Sequence, residues 1–174
     1  DLNRSILSFR DSVDFPKVGV IAGALQGPFV QLEHVEESFS GGADHISRWI
    51  VCGADDPSVR PICQALWPER LVVAATEDHF GQVATHTPHD THFCAGCFTM
   101  VESIGDEPAA TIGPTSVMTG IVAAATLAKL ALGRPVAART DILTMRLDSY
   151  LALSEVSPAP NPACAVCDGR RNAS

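Results

Sequence analysis

Two Cys-x-x-Cys pairs, Cys94/Cys97 and Cys164/Cys167, constrain this chain more than any other feature. The x-x spacing lets both sulfurs of a pair face one ion while backbone amides point at them, and together the pairs offer four thiolates. Such a closed set satisfies the tetrahedral preference of zinc and leaves no position open for a substrate, so the expected ion is a structural zinc. About 66 residues lie between the pairs, more than in a zinc ribbon. The ion would therefore clip together segments far apart in sequence, and a clip over so long a loop removes chain entropy from the unfolded state. Two surface thiol pairs, a dithiol redox motif and a rubredoxin-like iron site are the competing readings. Four of the six cysteines in these pairs favour metal and a reducing compartment, hence the cytoplasm, over the disulfides of a secreted protein. Cys52 and Cys63 stand in apolar contexts and read as ordinary core cysteines. His92, close to Cys94, reads as a solvated loop residue.

The 174 residues are enough for a single domain, 1–174, with a sizeable core. Hydrophobic residues make up 46% and charged ones only 18%, which excludes a disordered chain. A net charge of -8 leaves no basic footprint for nucleic acid. The longest apolar run, Val117 to Leu132, carries Lys129 and reads as a buried helix, so no membrane partner is expected. Asp1-Leu2-Asn3-Arg4 is polar and lacks an initiator Met or signal sequence, which reads as a fragment or processed form.

Strands and helices alternate along the chain. Phe15-Pro16-Lys17 opens a helix with Val18, Ile21, Ala22 and Leu25 on one face, and Gly27-Pro28 stops it. Val30 to Val35 alternates apolar and polar residues as a half-buried strand does. Trp49-Ile50-Val51 and Leu71 to Ala75 are short apolar runs of the kind found in buried parallel strands, and Gly81 to Thr85 adds a further strand. Between the first two, Pro57 opens a short helix carrying Val59, Ile62, Cys63 and Leu66. The helix Thr115 to Leu132 ends at Gly133-Arg134-Pro135. Ile142 to Leu147 and Tyr150 to Leu153 read as late antiparallel strands. The expected class is α/β: a Rossmann-like, mostly parallel sheet with flanking helices, late antiparallel strands and a four-cysteine zinc lobe.

Three charged residues occupy positions that such a fold uses for chemistry. Arg4 follows an implied strand end. Lys17 stands at a helix N-terminus, where the dipole and free amides favour anions. Asp55 follows the strand at Trp49 to Cys52, at the carboxyl edge where parallel sheets bind ligands. Two cations and a carboxylate there suit a magnesium-nucleotide, with Arg4 and Lys17 on the phosphates and Asp55 on the metal. By spacing alone, a solvated Arg, a solvated Lys and a helix-capping Asp would look the same.

Asp1-Leu2-Asn3-Arg4-Ser5 resembles the Asn-Leu-Asn-Arg-Gln segment of the ThiF/MoeB/HesA family of ubiquitin-activating-type adenylating enzymes. Lys17 falls where that family places a phosphate-binding lysine, and Asp55-Asp56-Pro57-Ser58-Val59-Arg60 resembles its Asp-Asn-x-x-x-Arg motif. Cys94-Ala95-Gly96-Cys97 and Cys164-Ala165-Val166-Cys167 match its two zinc knuckles. Ile112-Gly113-Pro114, running into the following helix, resembles the segment after its crossover loop. The resemblance implies a Mg-ATP site at Asn3, Arg4, Lys17 and Asp55, with Arg4, Lys17 and Asp55 catalytic. It also implies adenylation of the C-terminal carboxylate of a small β-grasp, ubiquitin-like or sulfur-carrier protein, or of a peptide, by an enzyme that is often a homodimer. The family's Gly-rich nucleotide loop has no counterpart here, so the chain reads as roughly the last two-thirds of that domain. Asp1 and Ser5 replace Asn and Gln, and no cysteine lies between Cys97 and Cys164 to carry a crossover-loop thioester. These departures also fit a second expectation: a catalytically silent, zinc-stabilised relative that binds a partner.

Overall fold

The computed structural model describes residues 14–41, 48–54, 56–77, 80–86, 94–98, 113–134, 142–146, 152–156 and 161–167. The chain divides into two units, Asp1–Phe39 and Ser40–Ser174. In the first, helix α1 spans Lys17–Leu25. Pro16 precedes it, its ring-fixed φ suiting the entry and its carbonyl accepting the Val20 N–H at 3.1 Å. The helix stops where Gln26 turns extended, and paired bonds between Gly27 and Val30 close the following turn around Pro28. Of the expected apolar face, Ala22 is buried and Ile21 half-buried, whereas Val18 and Leu25 are exposed. The strand expected from Val30 to Val35 does not form beyond the bridge at Val30. Alternation specifies a strand only where a neighbouring strand accepts its hydrogen bonds, and no described residue does so for 31–35.

The second unit is built on a five-stranded sheet in sequence order: β1 (Trp49–Cys52), β2 (Arg70–Glu77), β3 (Phe80–His86), β4 (Ile142–Arg146) and β5 (Ala152–Val156). Helix α2 (Val59–Ala65) crosses between β1 and β2 and lets them pair in parallel, Trp49 opposite Arg70 and Cys52 opposite Val73. The late strands are antiparallel, as expected, and so is the β2–β3 pair. The α/β class with flanking helices therefore holds, but the expectation of a mostly parallel sheet is corrected among the described residues. β2 and β3 are joined by too few residues for a crossover, so they must turn back on each other.

Residues buried in succession on β2 place it between two layers. Leu71 and Val73 pack on one face with Cys52, Cys63, Ala84 and the cysteine pairs, while Val72 packs on the other with Val83 and Ala123. That second face is covered by helix α4 (Gly113–Ala131), which turns Thr115, Thr119 and Ala123 inward at helical spacing. A buried helix was expected here. Instead Val117, Ile121 and Leu132 are exposed, because only one stripe of the helix meets the sheet. Its length and apolar composition would suffice to cross a membrane, but that buried stripe packs on β2 and β3. The helix ends as its sequence indicated. Gly133 adopts φ 62°, its N–H bonding Leu130, and the Arg134 N–H reaches back to Lys129 at 3.0 Å.

Candidate functional site

The first cysteine pair is set by helix α3 (Ala95–Phe98), with Cys94 just before it and Cys97 within it, the Cys97 N–H bonding the Cys94 carbonyl at 2.9 Å. The second pair follows Asn161-Pro162. The Asn161 side chain accepts the Ala163 N–H at 2.9 Å and its carbonyl accepts the Cys164 N–H at 3.1 Å, starting a single helical turn at 165–167. The two turns meet over the sheet face carrying Leu71 and Val73. Cys94, Cys97 and Cys164 are buried, and Cys167 is half-exposed.

All four sulfurs lie within 4.8 Å of one another. The pairs measure 3.8 Å for Cys94–Cys97, 3.6 Å for Cys94–Cys164, 3.6 Å for Cys97–Cys167 and 3.2 Å for Cys94–Cys167. None is a disulfide, whose S–S bond is about 2.05 Å. A tetrahedron with metal–sulfur bonds of about 2.3 Å has edges of roughly 3.8 Å, so the thiols already stand near the separations a zinc-sized ion requires. The cluster can therefore hold a metal ion. Gly96 permits this approach: a Cβ there would lie 2.9 Å from Val166 Cγ2 and 3.3 Å from the Cys164 sulfur.

Proton occupancy sets Cys97 apart from Cys94 and Cys167. Burial, then the bond with Cys167, pushes the Cys94 thiol far above the ordinary range. Burial likewise raises Cys167, to about 12. Burial opposes ionisation at Cys97 as well, but backbone groups of Cys94 and Asn161 and the thiols of Cys167 and Cys164 bring it below the ordinary value. Cys97 thus gives up its proton more readily than Cys94 or Cys167, and a metal must displace the protons those two hold.

Reasoning from the sequence missed Gln64, a completely buried side chain on α2. Its Oε1 accepts the N–H of Ala95, the first residue of α3, at 2.9 Å. A polar residue placed between the core positions Cys63 and Leu66 was the only signal.

The nucleotide-site residues are not assembled by the described part of the chain. Lys17 is the first residue of α1 in the first unit, exposed as a helix-start cation would be. Asn3, Arg4 and Asp55 lie outside the described residues, as does His92. Asp56, beside Asp55, is exposed and accepts the Ser58 N–H at 2.8 Å ahead of α2. Cys52 and Cys63 are core residues as expected, and burial, together with the neighbouring Cys52 thiol, pushes Cys63 up to about 12.

In sequence, no protein-family model matches the chain and no curated protein does. In structure, E. coli MccB with AMPCPP and MccA superposes at a TM-score of 0.73 and 17% identity, over 93% of this chain and 54% of that one. The fold resembles that of MccB. E. coli MccB with ATP matches at 0.71 and 17% identity, over 95% and 55%. The microcin C7 biosynthetic enzyme MccB in complex with N-formylated MccA gives 0.71 and 16%, over 95% and 56%. The chain spans little more than half the length of these MccB chains.

Proposed function

We propose that this chain is the greater part of an ATP-dependent adenylating enzyme of the ThiF/MoeB/HesA type, acting on the C-terminal carboxylate of a peptide or small carrier protein. The observation that carries this reading is the likeness over almost the whole chain to MccB, an enzyme crystallised with ATP and with MccA. That likeness supports a peptide acceptor more than a β-grasp protein. The motifs at Asn3-Arg4, Lys17, Asp55 to Arg60 and the two knuckles, in the family's order, support the type of chemistry.

In this reading Asn3, Arg4 and Lys17 bind the nucleotide, and the two cations offset charge building on the departing pyrophosphate. Asp55 holds magnesium, which supplies further charge neutralisation at the phosphates when bound. The acceptor carboxylate attacks the α-phosphate and pyrophosphate leaves. The work left to the protein is positioning and electrostatic, which suits fixed charges. Zinc on Cys94, Cys97, Cys164 and Cys167 is structural, since four thiolates leave it no coordination site for a substrate. No thioester forms, because Cys52 and Cys63 are buried in the core with Cys63 held protonated. The enzyme would work in the cytoplasm, as a homodimer if it follows its family.

Calorimetric titration of Mg-ATP into the wild-type protein, Lys17→Ala and Asp55→Ala tests this. Loss of one charge-assisted contact is expected to weaken binding by about 10–100-fold, with metal content unchanged. Variants that bind Mg-ATP like the wild type would show the residue assignment to be wrong. If the wild-type protein binds no nucleotide, the silent, zinc-stabilised scaffold becomes the better reading.

A further inference from the structure

Gln64 is costly as a core residue. It is 0% exposed, and its Nε2 has no hydrogen-bond partner among the described residues. A buried donor left unmade is a desolvation cost that Met or Leu of similar volume would avoid. Its Oε1 nevertheless takes the Ala95 N–H at 2.9 Å, and that N–H is among the free donors at the start of α3, next to Cys94. Nearby, α2 packs against α3 and the neighbouring Cys63 belongs to the same core cluster as Cys94, Cys97 and Cys164.

We infer that Gln64 is the positioning residue of the four-cysteine centre, its side-chain carbonyl fixing the first knuckle so that Cys94 and Cys97 meet Cys164 and Cys167 at metal-binding separation. α3 is a single turn, too short to hold its own orientation, and the two knuckles approach closely at Gly96. A hydrogen bond from a different element sets the rotation of that turn. Gln64 does not ligate the ion; it acts through Ala95, as the outer partners of metal ligands do. The inference rests on the metal-holding reading of the cluster and not on the nucleotide site.

The test uses the full chain loaded with zinc and, separately, with cobalt(II). Gln64→Met is expected to lower affinity for either ion by about 10–100-fold, the loss typical when an outer partner is removed, and to alter the visible absorption of the cobalt form. Gln64→Glu, which keeps an acceptor oxygen at the same reach, is expected to recover part of the affinity and the wild-type spectrum. Val83→Ala, in the core on the other face of the sheet, is expected to lower thermal stability while leaving affinity and spectrum unchanged. The inference is overturned if Gln64→Met binds both ions like the wild type, or if Val83→Ala weakens binding as much. It also fails if Gln64→Glu is no better than Gln64→Met, or if Gln64→Met does not fold and Gln64→Glu then lacks the wild-type cobalt spectrum. A wild-type protein that takes up neither ion would remove the metal reading and this inference together.

Discussion

At the scale of single residues, the metal cluster depends on what is missing at position 96 as much as on its sulfurs. A methyl group there would meet Val166 at 2.9 and 3.2 Å as well as the Cys164 sulfur. Val166 is held in its own turn beside a ligand, so the second knuckle would have to move. Gly96→Ala is expected to cost about 1–3 kcal/mol in overpacking and to weaken metal retention, measured by competition with a chromophoric chelator; unchanged retention would show that the knuckles have room to shift. Asp56 makes a different prediction. Its bonds with Ser58, side chain first and then backbone, hold its carboxyl below the ordinary 3.8, with Arg60 helping. A carboxyl depressed in the folded state stabilises above the unfolded value, and that contribution is lost as the pH falls through the folded value. The stability difference between wild type and Asp56→Ala in urea should therefore be present near neutrality, begin to shrink below 3.8 and be lost as the pH falls through the folded value. A difference independent of pH would remove the Ser58 bond as its cause.

Among the elements, β2 carries the most. Its register with β1 and β3 sends Leu71 and Val73 toward the cysteine cluster and Val72 toward α4, so one strand closes both layers. Leu71 is 1% exposed, and Leu71→Ala is expected to destabilise the protein by about 2–5 kcal/mol. Because Leu71 lines the same cluster as Cys94 and Cys164, the variant should also lose metal more readily on heating. Thermal melts with and without excess zinc would check this; a shift that added zinc does not alter would mean the two are independent. The loop from α2 into β2 shows how local chemistry serves this strand. Trp67 takes a left-handed φ of 45° at the helix end, its N–H bonding Gln64, and Pro68 prevents the helix from continuing.

For the whole molecule, the four sulfurs join segments 70 positions apart in sequence. An ion at that junction ties α3 and the chain after β5 to the face of the sheet. Binding to the folded state alone raises stability with the free-ion concentration. Removal of the ion by a chelator is therefore expected to lower the melting temperature, and restoring zinc should return it. A chelated protein that melts like the untreated one would argue against a structural ion.

Much of this was legible in the sequence because the signals were local. Cysteine spacing fixed which four residues would meet, since any ion that holds one pair needs the other to complete its shell. Gly133 marked the end of α4, and apolar runs located β1, β2 and β3, because caps and side-chain periodicity are properties of neighbouring residues. What depends on distant partners was not legible. The 30–35 segment alternates like a strand yet has no described strand to pair with, and α4 is apolar on faces that the sheet does not reach. Sheet direction came from how β2 and β3 turn back on each other, and the role of Gln64 came from a contact 31 positions away in sequence. Residue types state which groups must be satisfied; only the tertiary structure decides which neighbour satisfies them.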